Sequence, residues 1–561
     1  MNIQPAERAQ HIERVFLIGP SGSGKSTVAA RVAALLAWDC ADTDAEVEQR
    51  TGTSIAELFA AAGEPRFRDA EADALATLCA RRQIVIATGG GIGDRPENLD
   101  CMRARGWTVA LAVRPETALN RIVTQSGDAE PAALRPMLAG DDPLARMRAL
   151  HERRADWYRA ADETIVSDDL SADEVAARIV AGLVARGALP AGGVSNYVRH
   201  VGSAAGAGYD AAVAWGGLAS LPERLRALGL PPRLHVVADA QVAKLYEPAL
   251  MAALLRAGFE PLVFRVPAGE ASKSRQQLDA IHDWLAERRA ERGEALVALG
   301  GGVVGDLAGF AAATYLRGLP LIQVPTSLLA QVDASIGSKV AIDHPRGKNL
   351  IGVFYAPRLV LADPAALLTM PARQRAEGWA EVVKHGVALD AAYFATLERD
   401  AAALLAQQPV PTTQAIAGSV ALKAAVVEED EREGEGGRRH LLNYGHTVGH
   451  AIEAVTGYGA WLHGEAVAVG MCAAARLGAR LGITPLALAE RQEMLLQRFG
   501  LPTCIEGVAA SDLLRAVLWD KKVRGGQVRW VLPAALGTAA LVADVPEQAV
   551  RAALHDIGAE E

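Results

Sequence analysis

Cysteine is scarce in this chain: five residues in 561, namely Cys40, Cys79, Cys101, Cys472 and Cys504, and none in C-x-x-C spacing. An odd, scattered set of this kind excludes a disulfide framework and fits a reducing, cytoplasmic setting. The opening MNIQPAERAQHIER lacks an apolar core segment, so no secretory signal is expected. Long apolar runs are missing as well. The nearest, Ala295 to Leu316 with Asp306 as its single charge, is broken by Gly300-Gly301-Gly302 and again by Gly305. It suits a buried strand, a tight turn and a helix start rather than a membrane span. A large excess of one charge is also absent. The formal net charge of −9 argues against general nucleic-acid binding and leaves any anion site to local basic clusters. No internal repeat is visible.

What is present is ordinary globular composition, 50% hydrophobic and 22% charged, with no room for a large disordered fraction. The length calls for about two to four domains. The clearest boundary is the Gly/Ala-rich stretch between Ala185 and Gly217, which reads as a linker with a strand near its end. The expected division is 1–190, a linker over 191–214, an α/β region over 215–370 and a helical region over 371–561. In the first part the apolar runs Val15–Ile18, Ile84–Ala87, Val109–Val113 and Thr164–Val166 alternate with helical patterns. That is the signature of a parallel sheet covered on both faces. The second part begins likewise, with Leu234–Ala238, Leu262–Val266, Ala295–Leu299, Leu321–Val324 and Leu359–Leu361. After Pro371 strand signals stop and helical periodicity dominates, which predicts an all-helical subdomain.

Gly19-Pro20-Ser21-Gly22-Ser23-Gly24-Lys25-Ser26, followed by Thr27, satisfies G-x-x-x-x-G-K-[ST] between a strand-like and a helical run. Backbone N–H groups of such a loop wrap a phosphate, Lys25 reaches the terminal phosphates, and Ser26 ligates Mg²⁺. The loop specifies a nucleotide and leaves the acceptor open. Further on come Asp42-Thr43-Asp44, Gly63-Glu64-Pro65-Arg66-Phe67-Arg68, Gly89-Gly90-Gly91, Leu134-Arg135-Pro136 and Glu152-Arg153-Arg154. In this order they resemble shikimate kinase over roughly residues 10–185. The resemblance implies that Asp42 supports Mg²⁺, that Asp44, Arg68, Gly90 and Arg154 bind shikimate, and that Arg135 approaches the ATP phosphates. Guanidinium forks suit a small carboxylate, and phosphoryl transfer needs chiefly positioning and charge neutralisation.

The second part carries its chemistry in Leu442-Asn443-Tyr444-Gly445-His446-Thr447-Val448-Gly449-His450-Ala451-Ile452-Glu453 and His463-Gly464-Glu465. Three of the twelve histidines fall within eighteen residues. Imidazole is the commonest protein ligand for zinc, and the i, i+4 spacing of His446 and His450 makes those two a metal pair by spacing alone. Upstream, Glu377-Gly378-Trp379-Ala380-Glu381-Val382-Val383-Lys384-His385 adds carboxylates and a lysine in apolar company. Gly300-Gly301-Gly302-Val303-Val304-Gly305-Asp306 follows a strand, as a turn approached by a pyrophosphate would, without forming a G-x-G-x-x-G fingerprint. Arg317, Lys339, Lys348, Lys423 and Arg439 lie in otherwise apolar, Gly-rich sequence and point to a buried, highly anionic substrate.

Together these motifs closely resemble 3-dehydroquinate synthase over roughly residues 215–561. The resemblance implies zinc (or cobalt) on Glu381, His446 and His463, which moves His450 from the metal to the substrate. It implies NAD⁺ along Ala268-Gly269-Glu270-Ala271-Ser272-Lys273, Gly302-Val303-Val304-Gly305-Asp306, Thr326, Ser327, Lys339, Lys348 and Thr369. The substrate, the seven-carbon keto-sugar acid phosphate DAHP, would meet Asp333, Lys339, Asn349, Lys384, Lys423, Arg439, Asn443, His450 and one of Lys521 and Lys522. Arg317 would reach a neighbouring subunit's site, implying a homodimer through this half. Lys339, Lys384 and His450 would hold the departing phosphate and Arg439 the carboxylate, with Lys25 and Arg135 active in the kinase half. The implied chain is thus a bifunctional enzyme of aromatic-precursor biosynthesis. The alternatives are a kinase fused to a zinc- and NAD-dependent polyol dehydrogenase, which would leave several buried cations unpaired, and a hexose-phosphate cyclase, which would leave Arg439 without a carboxylate.

Overall fold

The computed structural model describes residues 12–126, 142–189, 196–203, 206–434, 437–457, 459–519 and 528–561. The chain divides into two compact units, Met1–Pro190 and Ala191–Glu561.

In the first unit five parallel strands, β1 (Arg14–Ile18), β2 (Asp39–Asp42), β3 (Ile84–Ala87), β4 (Trp107–Ala112) and β5 (Glu163–Val166), pair in the order β2-β3-β1-β4-β5. The three inner strands are continuous apolar runs, as expected where helices cover both faces of a sheet, and they are almost wholly buried. Strand β2, Asp-Cys-Ala-Asp, has no such run; it is an edge strand and leaves no apolar pattern to read. The Ile55–Leu78 helix is broken at Gly63 (φ 76°), just before Pro65, and its second segment turns Arg68 and Glu71 inward.

The second unit contains a seven-stranded sheet in the order β6-β7-β14-β11-β10-β8-β9. The strands are β6 (Tyr197–Ser203), β7 (Gly206–Val213), β8 (Arg233–Asp239), β9 (Glu260–Val266), β10 (Ala295–Gly300), β11 (Leu321–Pro325) and β14 (Leu359–Ala362). All neighbours run parallel except β6 and β7. The stretch read as a linker over 191–214 therefore holds two strands. Tyr209, Ala211, Ala212 and Val213 are all buried, but the stretch is written in small residues that resemble linker composition. A hairpin, β12 (Lys339–His344) and β13 (Gly347–Phe354), follows β11.

Beyond Pro371 the chain is helical, but not wholly so. A second hairpin, β15 (Trp530–Ala535) and β16 (Thr538–Val542), closes on the helices with Trp530 and Leu532 buried. Pro533 cuts its apolar run short, which hid it from pattern reading. One apolar cluster runs from Tyr209 and Val213 through Trp379 and Tyr444 to Leu554, so the strand-rich and helix-rich parts of this unit share a core. Among the described helices, Pro409–Glu429 has the length and mean hydropathy (1.2) of a membrane span, yet 61% of its apolar window is buried within the fold.

Candidate functional site

The phosphate loop lies between β1 and the Lys25–Leu36 helix. Gly22 has φ 80°, and a Cβ there would stand 2.4 Å from the Ala118 carbonyl oxygen, so only glycine fits the turn. Lys25 is buried and donates to the Gly19 and Pro20 carbonyls at 2.9 Å each. Ser26 and Thr27 are exposed on the first helical turn. The Ser26 hydroxyl donates to Asp42 Oδ2 at 2.5 Å, while Asp42 Oδ1 accepts from the Asp44 amide at 2.9 Å and caps the next helix. A hydroxyl and a carboxylate side by side at a phosphate loop fit a hydrated Mg²⁺.

Beside the loop is a cavity of about 450 Å³ lined by Asp44, Arg68, Gly90 and Arg154, together with Glu71, Phe59, Phe67 and Tyr158. Arg68 binds Glu71 at 2.7 Å and Asp94 at 3.1 Å, and Arg154 binds Asp94 at 2.6 Å and the Gly90 carbonyl at 2.8 Å. The glycine triplet has a spatial cause. A Cβ on Gly91 would lie 2.3 Å from the Arg68 guanidinium and 2.7 Å from that of Arg154. Two carboxylates that sequence reasoning passed over, Glu71 and Asp94, thus aim both forks. Their signals were the i, i+3 step from Arg68 to Glu71 and the short reach from the triplet to Asp94. Burial pushes the Glu71 carboxyl up to about 7, against the pull of Arg68. Arg135 lies outside the described residues.

In the second unit the Ala372–Leu389 helix carries Glu381, fully buried, with the Lys384 ammonium against its Oε2. The His446–Thr456 and His463–Arg480 helices cross on glycines. A Cβ on Gly470 would meet the Gly445 carbonyl oxygen at 2.0 Å, and one on Gly449 the Ala466 carbonyl oxygen at 3.2 Å. That crossing brings the His446 and His463 rings to 5.3 Å, with Nε2 atoms 3.6 Å and 3.9 Å from Glu381 Oε1. The other ring nitrogens are held from behind. His446 Nδ1 donates to the Tyr444 carbonyl at 3.1 Å, and His463 Nδ1 faces Glu453 at 3.2 Å. Glu381 Oε1 accepts no hydrogen bond among the described residues, while Oε2 is ion-paired with Lys384. Two imidazole nitrogens converging on a buried carboxylate oxygen that accepts no hydrogen bond fit a transition ion with open positions.

Two other trios could converge on an ion: His450, Glu453 and His463, or Asp333, Glu381 and His385. In the first, Glu453 already serves His463 and Lys348. In the second, Lys384 and Lys423 crowd the carboxylates. The pair suggested by i, i+4 spacing, His446 and His450, has ring centroids 5.4 Å apart, but only His446 joins Glu381 and His463.

Around this centre, Asp333 pairs with Lys423 at 2.7 Å. Burial opposes the charge on Asp333, yet Lys423 and Lys384 hold its carboxyl well below the usual range; burial pulls Lys423 down, with Asp333 opposing. Lys339 and Asn443 both engage Glu433, at 2.5 Å and 3.3 Å, and the buried Arg439 rests on the Asp430 carbonyl at 3.2 Å. Glu433 carried no sequence signal beyond an acidic run. Arg317 stands exposed at φ 68°, without an ion pair or side-chain hydrogen bond among the described residues. Lys521 and Lys522 lie outside the described residues.

Gly302, Val303, Val304, Gly305 and Asp306 form the first turns of the helix after β10, where free N–H groups suit a pyrophosphate. Lys273 ties the Ala268–Lys273 segment to them through Asp306 at 2.5 Å and also reaches Asn349. The Thr326 amide donates to Gly300 at 2.9 Å, and Ser327 sits where a Gly301 Cβ would come within 3.3 Å of its hydroxyl. Thr369 meets the Tyr246 hydroxyl at 2.7 Å, and Lys348 binds Glu453 at 3.1 Å. A glycine-edged helix start flanked by lysines fits a dinucleotide.

Comparison with known proteins adds three family matches. Residues 21–184 match shikimate kinase, 263–377 the 3-dehydroquinate synthase N-terminal family and 378–523 the 3-dehydroquinate synthase C-terminal family. The 3-dehydroquinate synthase of Desulforamulus reducens is 47% identical over 326 residues, 58% of this chain and 90% of that protein. That of Caulobacter vibrioides is 48% identical over 358 residues, 63% of this chain and 96% of that protein. Among solved structures, 2-epi-5-epi-valiolone synthase from Streptomyces hygroscopicus subsp. jinggangensis, with NAD⁺ and Zn²⁺ bound, aligns at TM-score 0.59 and 28% identity, covering 64% of this chain and 99% of that one. A 2-deoxy-scyllo-inosose synthase complexed with carbaglucose-6-phosphate, NAD⁺ and Co²⁺ aligns at TM-score 0.56 and 26% identity, with the same coverage.

Proposed function

We propose, from the premise that this chain belongs to the 3-dehydroquinate synthase family and carries a shikimate kinase region ahead of it, that it catalyses two steps of the shikimate pathway. One is ATP-dependent phosphorylation of shikimate to shikimate 3-phosphate. The other is conversion of DAHP to 3-dehydroquinate with loss of phosphate. The observation that carries the second is the Glu381, His446 and His463 cluster ringed by the cations Lys384, Lys423 and Arg439, all three buried. Buried cations in that number call for an anionic substrate.

When bound, Mg²⁺ neutralises ATP phosphates, NAD⁺ accepts and returns a hydride, and Zn²⁺ polarises substrate hydroxyl oxygens. In the kinase half Lys25 steadies the transferred phosphoryl group, and Asp44 accepts the proton of the attacking hydroxyl. Arg68 and Arg154, aimed by Glu71 and Asp94, grip the shikimate carboxylate. In the synthase half Arg439 clamps the DAHP carboxylate, while Lys339, Lys384 and His450 hold the departing phosphate. Asp333 and Lys423 offer one acceptor and one donor to adjacent hydroxyls. Phosphate leaves and the chain closes on carbon, with no net oxidation.

The solved relatives include a 2-deoxy-scyllo-inosose synthase complexed with carbaglucose-6-phosphate. Arg439 favours DAHP over a hexose phosphate, because a substrate lacking a carboxylate would leave its guanidinium unanswered. The exposed Arg317 and the exposed Leu350, Val353 and Phe354 of the β12–β13 hairpin support a homodimer through this unit. Five unpaired cysteines support a reducing cytoplasm.

The test is direct. Purified protein incubated with DAHP and NAD⁺ should release phosphate and 3-dehydroquinate without accumulating NADH, and with shikimate and ATP should yield shikimate 3-phosphate. NADH building up with turnover would make the second unit a dehydrogenase instead.

A further inference from the structure

The His446–Thr456 helix presents more than metal and substrate ligands. Glu453 lies seven residues after His446 and three after His450, so all three share one helical face. It is 4% exposed, and both of its oxygens are engaged. Oε2 meets His463 Nδ1 at 3.2 Å, and Oε1 meets Lys348 Nζ at 3.1 Å. These partners belong to different tasks. His463 turns its Nε2 toward Glu381, whereas Lys348 extends from β13 among the residues proposed for the dinucleotide. His446 turns its Nδ1 to a backbone group instead, the Tyr444 carbonyl. Glu453 therefore contacts both a proposed metal ligand and a proposed dinucleotide residue.

On the metal and dinucleotide reading above, we infer that Glu453 is a positioning residue that couples the metal site to the dinucleotide site. Its carboxylate accepts the Nδ1 proton of His463, which leaves the Nε2 lone pair free for an ion and makes the imidazole a stronger ligand. The same carboxylate fixes where the Lys348 ammonium stands. An ion that draws His463 toward Glu381 moves one end of this bridge, and a dinucleotide that engages Lys348 moves the other. Each ligand then alters the affinity for its counterpart by the same factor, because linkage is reciprocal.

The experiment measures binding, not turnover. Zinc affinity is read by competition with a chromophoric chelator, and NAD⁺ affinity by calorimetry with and without saturating Zn²⁺. In the unaltered protein the NAD⁺ affinity should differ several-fold between the two conditions. Glu453→Gln keeps the shape and removes the charge. It should weaken Zn²⁺ binding by about 10–100-fold and make NAD⁺ affinity independent of Zn²⁺. Lys348→Met, should Glu453→Gln fail to fold, removes only the dinucleotide end; it should abolish the interdependence while Zn²⁺ affinity stays near that of the unaltered protein. Unchanged zinc affinity in Glu453→Gln, or interdependence surviving in Lys348→Met, overturns the inference. His463→Ala separates the two levels of the argument. If it still binds zinc as the unaltered protein does, the metal assignment has failed and Glu453 with it. If it loses zinc while Glu453→Gln does not, only the coupling role is lost.

Discussion

At the scale of single residues, the sequence disclosed the charged groups that ligands would meet and concealed those that aim them. Arg439 could be singled out because a cation in apolar, glycine-rich sequence needs an anion, and the structure buries it with the Asp430 and Glu431 backbone carbonyls as its hydrogen-bond partners among the described residues. Arg439→Ala should weaken catalysis on DAHP by about 2–4 kcal/mol in kcat/KM, the usual range for truncating one member of a buried charge pair. A change within assay error would move the carboxylate contact elsewhere. Glu71, Asp94 and Glu433 escaped notice, and Glu453 was read without a role, because an orienting carboxylate has no motif of its own; it is defined by what stands next to it. Gly91 was visible only as part of a triplet. A Cβ there meets the mobile ends of Arg68 and Arg154, not rigid backbone. Gly91→Ala should therefore leave the fold intact and raise the KM for shikimate at least tenfold, a displacement of both forks worth more than about 1.4 kcal/mol. An unchanged KM would mean the guanidiniums bind elsewhere.

Elements were legible where their residues were large and lost where they were small. The inner strands β1, β3 and β4 are written in valine, isoleucine, leucine and phenylalanine. The strand β7, Gly-Ala-Gly-Tyr-Asp-Ala-Ala-Val, is mostly glycine and alanine, and passed for a linker. The same preference for small residues builds the metal centre. His446 and His463 approach each other because Gly445, Gly449 and Gly470 let two helices touch through their backbones. Spacing along one helix suggested His446 with His450, since periodicity describes a single helix and says nothing of a second one crossing it. Gly470→Ala would place a methyl 2.0 Å from the Gly445 carbonyl oxygen, and neither backbone can yield without parting the helices. It should destabilise this unit by about 1–3 kcal/mol, as overpacking does, and weaken zinc binding in the folded protein. Denaturant unfolding followed by zinc titration checks both, and native zinc affinity would dissociate the crossing from the metal site.

On the scale of the whole molecule, the two units keep separate cores and separate chemistry, so their activities should be separable by mutation and by metal. The phosphate loop lies within Met1–Pro190 and the zinc cluster within Ala191–Glu561. Lys25→Ala should abolish shikimate phosphorylation while DAHP cyclisation continues, and loss of both in a folded protein would refute independent sites. The metals make the sharper case, because each unit offers a different donor set. Ser26 and Asp42 present oxygen beside nucleotide phosphates, which suits a hydrated, exchangeable Mg²⁺. Glu381, His446 and His463 present two nitrogens and one oxygen in a buried setting, which selects a transition ion. Chelation followed by dialysis should silence both activities. Added Mg²⁺ should then restore phosphorylation alone, and only Zn²⁺ or a similar ion should restore cyclisation. His446→Ala should block the second rescue and leave the first. Cyclisation revived by Mg²⁺ in fully zinc-depleted protein would be incompatible with a nitrogen-rich site, since Mg²⁺ holds imidazole poorly against water, and would remove the metal from the proposed mechanism.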